Sequence, residues 1–237
     1  MNKVKNNSFL RILPGIIISL VFLIIVFTLA DIGEVINAIK SANLVYLPVA
    51  ILIFSLQLVA RSFAWRNLLQ KKITVGKAFF TINEGYLLNN ILPFRLGEVG
   101  RGVILRGTAG MSFWRVISTI VVERIFDVGL MAAVLLISIP LVIGGDWAMR
   151  SALIAGGLVA VGFLVIFLIA RYQEQFLKLA DAIGKKIPRL YRLVENRLRS
   201  FLEGFQFIKS PGSFILILFW MVLTWTCNVL YHWLVLK

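Results

Sequence analysis

The stretch NNILPFRLGEVGRGVILR, residues 89–106, lies between strongly apolar segments yet holds two asparagines, a proline, three glycines, a glutamate and three arginines. Pro93 disfavours helix at Leu92 and withdraws a backbone donor, while Gly97, Gly100 and Gly102 permit a turn and close backbone approach. The pattern predicts a broken helix. A break at membrane depth leaves unpaired N–H groups and partial positive charge at a helix start, which suits an anionic ligand. Arg95, Arg101 and Arg106 add full charges whose forked geometry fits phosphate oxygens. Glu98, three residues from both Arg95 and Arg101, is expected to hold those guanidiniums when no ligand is bound. The competing reading is a solvated loop whose arginines only set topology.

The surroundings place that stretch in a membrane protein. Of 237 residues, 59% are hydrophobic and 15% charged, against about 45–50% apolar in a soluble domain. The apolar residues fall in runs near the ~20 needed to cross a bilayer. An all-α, polytopic fold is predicted, with spans at about 12–30, 44–60, 116–143, 151–170 and 213–235, forming a single membrane domain over 1–237. The first run follows Lys3, Lys5 and Arg11 and has Thr28 and Ala30 as small residues before a conceivable cut. It outlasts the ~7–15 apolar residues of a signal core, so an uncleaved anchor is expected.

Basic residues orient the spans, because they are held on the cytoplasmic side. Most of the 25 fall before the first span or within 61–77, 95–115 and 171–209, whereas the loops at 31–43 and 144–150 contribute only Lys40 and Arg150. The amino terminus is therefore expected in the cytoplasm. Both flanks of the apolar segment AFFTINEGYLLNNILPF (78–94) are then cytoplasmic, so it does not cross. It either enters and returns on one side or lies flat on the inner leaflet, and its composition favours neither.

A second charged group stands in VISTIVVERIFDVGLMAAVLLISIPLVIG. Glu123 and Asp127 share a helix face, and Arg124 and Asp127 are three apart and can pair. Counted from Gly144, the apolar residues after Asp127 are too few for a ~30 Å core at ~1.5 Å each, which draws the charges toward hydrocarbon. Charges cost at least ~2.5–3.5 kcal/mol there and usually mark a functional interior. The alternative is a structural ion pair pinning this helix to its neighbours. Glu123, Arg124, Asp127 and the 89–106 stretch are expected to wall one polar cavity.

These two motifs resemble the flippase-like family that includes the transmembrane region of lysylphosphatidylglycerol synthase. Gly85, Asn89 or Asn90, Pro93, Arg95, Gly97, Glu98 and Arg101 match the first motif, and Glu123, Arg124 and Asp127 the second. Many relatives carry glycine after the proline where this chain has Phe94. The resemblance implies a polytopic inner-membrane protein with re-entrant helices that translocates or handles lipids with charged or glycosylated headgroups. It does not imply synthase activity, which resides in an additional soluble acyltransferase domain of family members that have it. Relatives generally have further spans, so a shortened member or a fragment is expected. A headgroup-binding set of Asn89, Asn90, Arg95, Glu98, Arg101, Glu123, Arg124 and Asp127 follows, with Gly85, Pro93 and Gly97 shaping the turn. In this reading Arg95, Arg101 and Arg124 receive the phosphate, and Glu98, Glu123 and Asp127 balance charge or exchange protons.

The remaining segments narrow the classes. In 171–209, Ile187, Leu190, Val194, Leu198, Phe201, Phe205 and Ile208 recur at spacings of three and four with arginines between, a basic amphipathic helix that gathers anionic lipid or docks on the protein itself. Ala152, Gly156 and Ala160 form a stripe for close helix contact. Trp233 is expected as an interfacial anchor, with Trp220 and Trp225 packed inside. The formal charge of +14 is spread around spans rather than gathered in a nucleic-acid module, so nucleic acid is not an expected partner. Cys227 and His232 are each the sole residue of their kind, which argues against disulfides, zinc and histidine catalysis. No Walker loop is present. No cofactor, metal or catalytic residue is expected. Anionic membrane lipids are the expected partners, with a homo-oligomer or a separate membrane partner left open. Two rivals to a flippase-like transporter remain: a membrane-embedded transferase or its subunit with Glu98 or Asp127 as general base, and a scaffold that binds anionic lipid without moving it.

Overall fold

A computed structural model describes residues 8–29, 31–41, 44–92, 96–142, 146–186 and 188–236; Pro93, Phe94 and Arg95 lie outside them, as do Ala30 and Ile187. These residues are helical with short connections, and none is in a strand. The chain divides into two compact units, 1–48 with 237, and 49–236.

The first unit holds α1 (Ser8–Leu29) and α2 (Ile32–Ser41). Asp31 starts α2 by accepting from the backbone N–H groups of Gly33 and Glu34 at 2.8 and 3.2 Å, satisfying donors that a helix start leaves open. Residues 19–28 of α1 expose their apolar side chains.

The second unit contains most of α3 (Tyr46–Leu68), then α4 (Val75–Ile91), α5 (Gly97–Ala109), α6 (Phe113–Val142), α7 (Asp146–Arg171), α8 (Gln173–Lys186), α9 (Pro188–Glu203), a 3-10 turn at Gln206–Lys209 and α10 (Pro211–Val235). Helix α6 is central, packing against α5, α7, α9 and α10. Among the described residues, three helices are long and apolar enough to cross a membrane: Tyr46–Leu68, Met149–Arg171 and Pro211–Val235. Their outward apolar side chains, such as Leu52, Leu158 and Phe219, are exposed. In water that surface would be an aggregation hazard, and in lipid it is a solvated face. Gly156 on α7 would bring a Cβ to 3.2 Å from the Leu136 side chain, so that part of the small-residue stripe faces α6.

The returning limb of the opening stretch is itself a helix. Residues 97–109 form α5, whereas the run of glycines alone reads as a turn. At 17 and 13 residues, α4 and α5 extend about 25 and 20 Å, each short of a ~30 Å hydrocarbon core. They pack as an antiparallel hairpin whose open end is tied by Lys77, its Nζ donating to the Thr108 carbonyl at 2.7 Å. The glycines set the approach. A Cβ on Gly97 would lie 1.9 Å from the Gly85 carbonyl oxygen, and one on Gly85 would lie 2.7 Å from Arg101 Cγ. Asn89 completes the contact, its Oδ1 accepting from the Gly97 N–H at 2.7 Å.

The predicted continuous helix over 171–209 is instead α8, α9 and the 3-10 turn. Pro188, at the first position of α9, has no N–H to continue a helix and a φ suited to starting one. Leu198 and Phe201 pack on the core and Phe205 is buried in it, so this end of the amphipathic face docks on the protein's own helices.

Candidate functional site

Helical spacing brings the polar residues together. On α3, Gln57 and Arg61 are four apart, as are Glu123 and Asp127 on α6 and Thr224 and Asn228 on α10, so each pair shares one face. These faces meet around Glu123, which is 1% exposed. Arg61 donates from Nε to Glu123 Oε1 at 2.8 Å and from Nη2 to Asp127 Oδ2. Arg101, from α5, donates from Nη2 to Glu123 Oε2 at 2.7 Å. Its guanidinium carbon lies over Trp65, 3.9 Å from the ring centroid, and the residue is 2% exposed.

Arg124 occupies the rim. Its nitrogens stand 3.3 Å from Glu98 Oε1, 3.3 Å from Glu123 Oε1 and 3.1 Å from Asp127 Oδ2, and its side chain is 39% exposed. Asp127 accepts a further bond from Trp225 Nε1 at 3.1 Å. Three guanidiniums thus face three carboxylates, a formally neutral set. Neutrality is what makes the arrangement tolerable among apolar helices, because an unpaired ion there costs several kcal/mol.

Beside the network lies a polar hollow of about 220 Å³, lined by Gln57, Arg61, Arg124, Asp127, Thr224, Trp225 and Asn228. The Thr224 hydroxyl donates to the Trp220 carbonyl at 2.8 Å. Gln57 Oε1 is buried yet has no hydrogen-bond partner among the described residues. An unsatisfied acceptor is expensive to bury dry, so this one calls for a donor from water or from a ligand in the hollow. Among the described residues, no group of three or more His, Cys, Asp or Glu side chains could hold a metal ion.

The sequence-predicted site residues divide by position. Glu98, Arg101, Glu123, Arg124 and Asp127 converge in the network. Asn89 braces the hairpin through Gly97, with Gly85 beneath them. Asn90 is exposed, while Arg95 and Pro93 fall outside the described residues. One pairing differs from expectation. Glu98 reaches Arg124 instead of Arg101, because α5 turns Arg101 inward onto Trp65 and Glu123. Arg61, Trp65 and Gln57 were not anticipated as site residues. A hydropathy reading ends the second span at Arg61, but α3 runs on to Leu68; a lone arginine preceding FAWRNLL was the available signal. Trp225 was expected only to pack, and it also serves as a donor.

A neutral knot of arginines and carboxylates closed among long apolar helices, beside a hollow that needs a donor, defines a polytopic helical membrane protein with an internal polar site. The family model described as lysylphosphatidylglycerol synthase TM region matches residues 12–237, and the chain belongs to that family. Membership makes it an integral membrane protein linked to lipid handling. No curated protein and no solved structure matches the chain.

Proposed function

We propose that the chain is a flippase-like lipid transporter in the inner membrane, with its amino terminus cytoplasmic, the α4–α5 hairpin re-entrant, and a lipid headgroup entering the hollow beside Arg124. The observation that carries this reading is the hollow itself, polar, of about 220 Å³ and holding the unpartnered acceptor Gln57 Oε1 among helices whose other faces are apolar. Its volume is equivalent to several waters at ~30 Å³ each, enough for a small headgroup while acyl tails stay in lipid.

The three arginines divide the work by how tightly each is held. Arg61 and Arg101 contact Glu123 at 2.7–2.8 Å and are almost sealed, so they fix the network. Arg124 is shared among three carboxylates at 3.1–3.3 Å and is part-exposed, so it is the guanidinium free to turn toward a phosphate. A headgroup that accepts from Arg124 also meets Gln57 Oε1, which takes a bond from a hydroxyl or amine. Anionic and glycosylated lipids carry both functions. As the phosphate draws Arg124 away, Glu98 loses its only ion-pair partner among the described residues.

A transferase using Asp127 as base is the weaker alternative. Asp127 already accepts from Arg61 and Trp225 and pairs with Arg124, so its oxygens are engaged rather than free to act as a base. The test is mass spectrometry of lipids co-purifying with wild type and with Arg124→Ala, followed by reconstitution. A lipid lost from the variant, and moved between leaflets by wild type without new covalent product, supports the transporter. A new product formed from a donor lipid would replace it with the enzyme, and unchanged lipid retention would remove Arg124 from the mechanism.

A further inference from the structure

A second polar hollow lies away from the Glu123 network. It measures about 800 Å³ and is lined by Arg106 and Gly110–Trp114, from the end of α5 to the start of α6, and by Asn196, Arg197 and Ser200 of α9. No acidic residue lines it. Arg61, Arg101, Arg115, Arg124 and Arg199 are each committed to a carboxylate. Arg106 and Arg197 make no ion pair with a described residue, and the side chains of Ser112, Asn196 and Ser200 have no described hydrogen-bond partner.

Arg106 and Arg197, both exposed and 91 positions apart in sequence, thereby border one space with no counter-charge among the described residues. Each keeps its forked donor set unused. The opening turn of α6 adds to the same field, since it has no acidic residue and its first N–H groups have no partner within the helix. Phe113 and the part-exposed Trp114 supply an apolar wall. A bare phosphate would leave most of this volume empty. A phosphate carried on a small organic group would fill it.

We propose that this hollow is a second ligand site, which takes a phosphate ester through Arg106 and Arg197 with Ser112, Asn196 and Ser200 as additional hydrogen-bonding groups. The ester reaches it either as the headgroup of an anionic lipid or as a soluble phosphorylated metabolite; the recognition chemistry is the same. The site is independent of the reading of the Arg124 hollow, because the two share no residue.

The test uses the full chain in neutral detergent with two probes, glycerol 3-phosphate by calorimetry and phosphatidylglycerol counted by native mass spectrometry. Arg106→Ala/Arg197→Ala should weaken whichever probe binds by about tenfold or more, the loss expected for charge-assisted bonds to phosphate. Arg106→Lys/Arg197→Lys, which keeps the charge but not the fork, should recover only part of it. Arg171→Ala/Lys178→Ala, which removes the same charge outside the hollow, should change nothing. Glycerol 3-phosphate binding that is lost with the Arg106/Arg197 pair identifies a soluble ligand, and phosphatidylglycerol binding that is lost with the pair, without glycerol 3-phosphate binding, identifies a lipid. Wild type binding neither probe, the alanine pair binding as wild type, or the charge control falling equally would each overturn the site.

Discussion

Two ion clusters in this protein use the same chemical groups in opposite surroundings. Around Glu123, three guanidiniums and three carboxylates are closed between α3, α5, α6 and α10, and the central carboxylate is 1% exposed. Between α8 and α9, Arg199 meets Asp181 at 3.4 Å and Glu195 at 3.1 Å with side chains that are mostly more than a third exposed; Tyr191 also donates to Asp181. Water screens the second cluster and is kept from the Glu123 centre of the first. The lesson is that an ion pair's distance says little about its weight, and that burial decides what its loss does.

The comparison breaks first at Glu123. Glu123→Gln leaves Arg61 and Arg101 without their shared carboxylate and should cost about 3–5 kcal/mol, read as a large drop in thermal unfolding in detergent. A variant that melts with wild type would mean that the network is not holding the helices. Gly97→Ala comes next. It sets a methyl against the Gly85 carbonyl, backbone on backbone, and should cost about 1–3 kcal/mol by forcing α4 from α5. Limited proteolysis within 92–96, together with the melting curve, would register the opening of the hairpin, and Gly97→Ala on a hairpin that stays closed would contradict the packing.

Arg124→Ala sharpens the contrast from within the same cluster. Its part-exposed side chain should contribute only about 1 kcal/mol or less to stability, yet lipid retention should fall sharply. A variant that loses stability and lipid in parallel would make Arg124 another structural pin. The smallest effect belongs to the exposed cluster. Donation to Asp181 holds the Tyr191 hydroxyl above the ordinary tyrosine range. A raised folded-state value means that this contribution is present below the unfolded tyrosine's range and is lost as pH climbs through the folded value. Tyr191→Phe should therefore remove a slight contribution near neutrality and flatten its alkaline loss, so that pH-dependent melting of the two proteins converges at high pH.

Much of this was legible in the residues. Helical class and membrane residence follow from apolar runs, and the charges of Glu123, Arg124 and Asp127 stand out because hydrocarbon makes them expensive. Asn89 and the glycines signalled close approach. Other parts were not legible. Arg61 looks like any topology-setting arginine at the end of a span, since hydropathy averages cannot distinguish a charge that turns inward from one that meets water. Trp65 and Trp225 look like packing residues until their partners are known. The pairing of Glu98 with Arg124 rather than Arg101 also escapes sequence spacing, because α5 rotates those two side chains toward different neighbours.

The amino-acid sequence by itself determined that this chain is helical, belongs in lipid, and carries ionisable groups where lipid penalises them. Those are local consequences of hydropathy, helical period and solvation cost. Only the tertiary structure decided which guanidinium neutralises which carboxylate, that Arg101 is sealed while Arg124 stays at a rim, and that Arg106 and Arg197 meet across an unneutralised hollow. These outcomes depend on the rotation and depth of helices packed against one another, and contacts between residues distant in the chain set both.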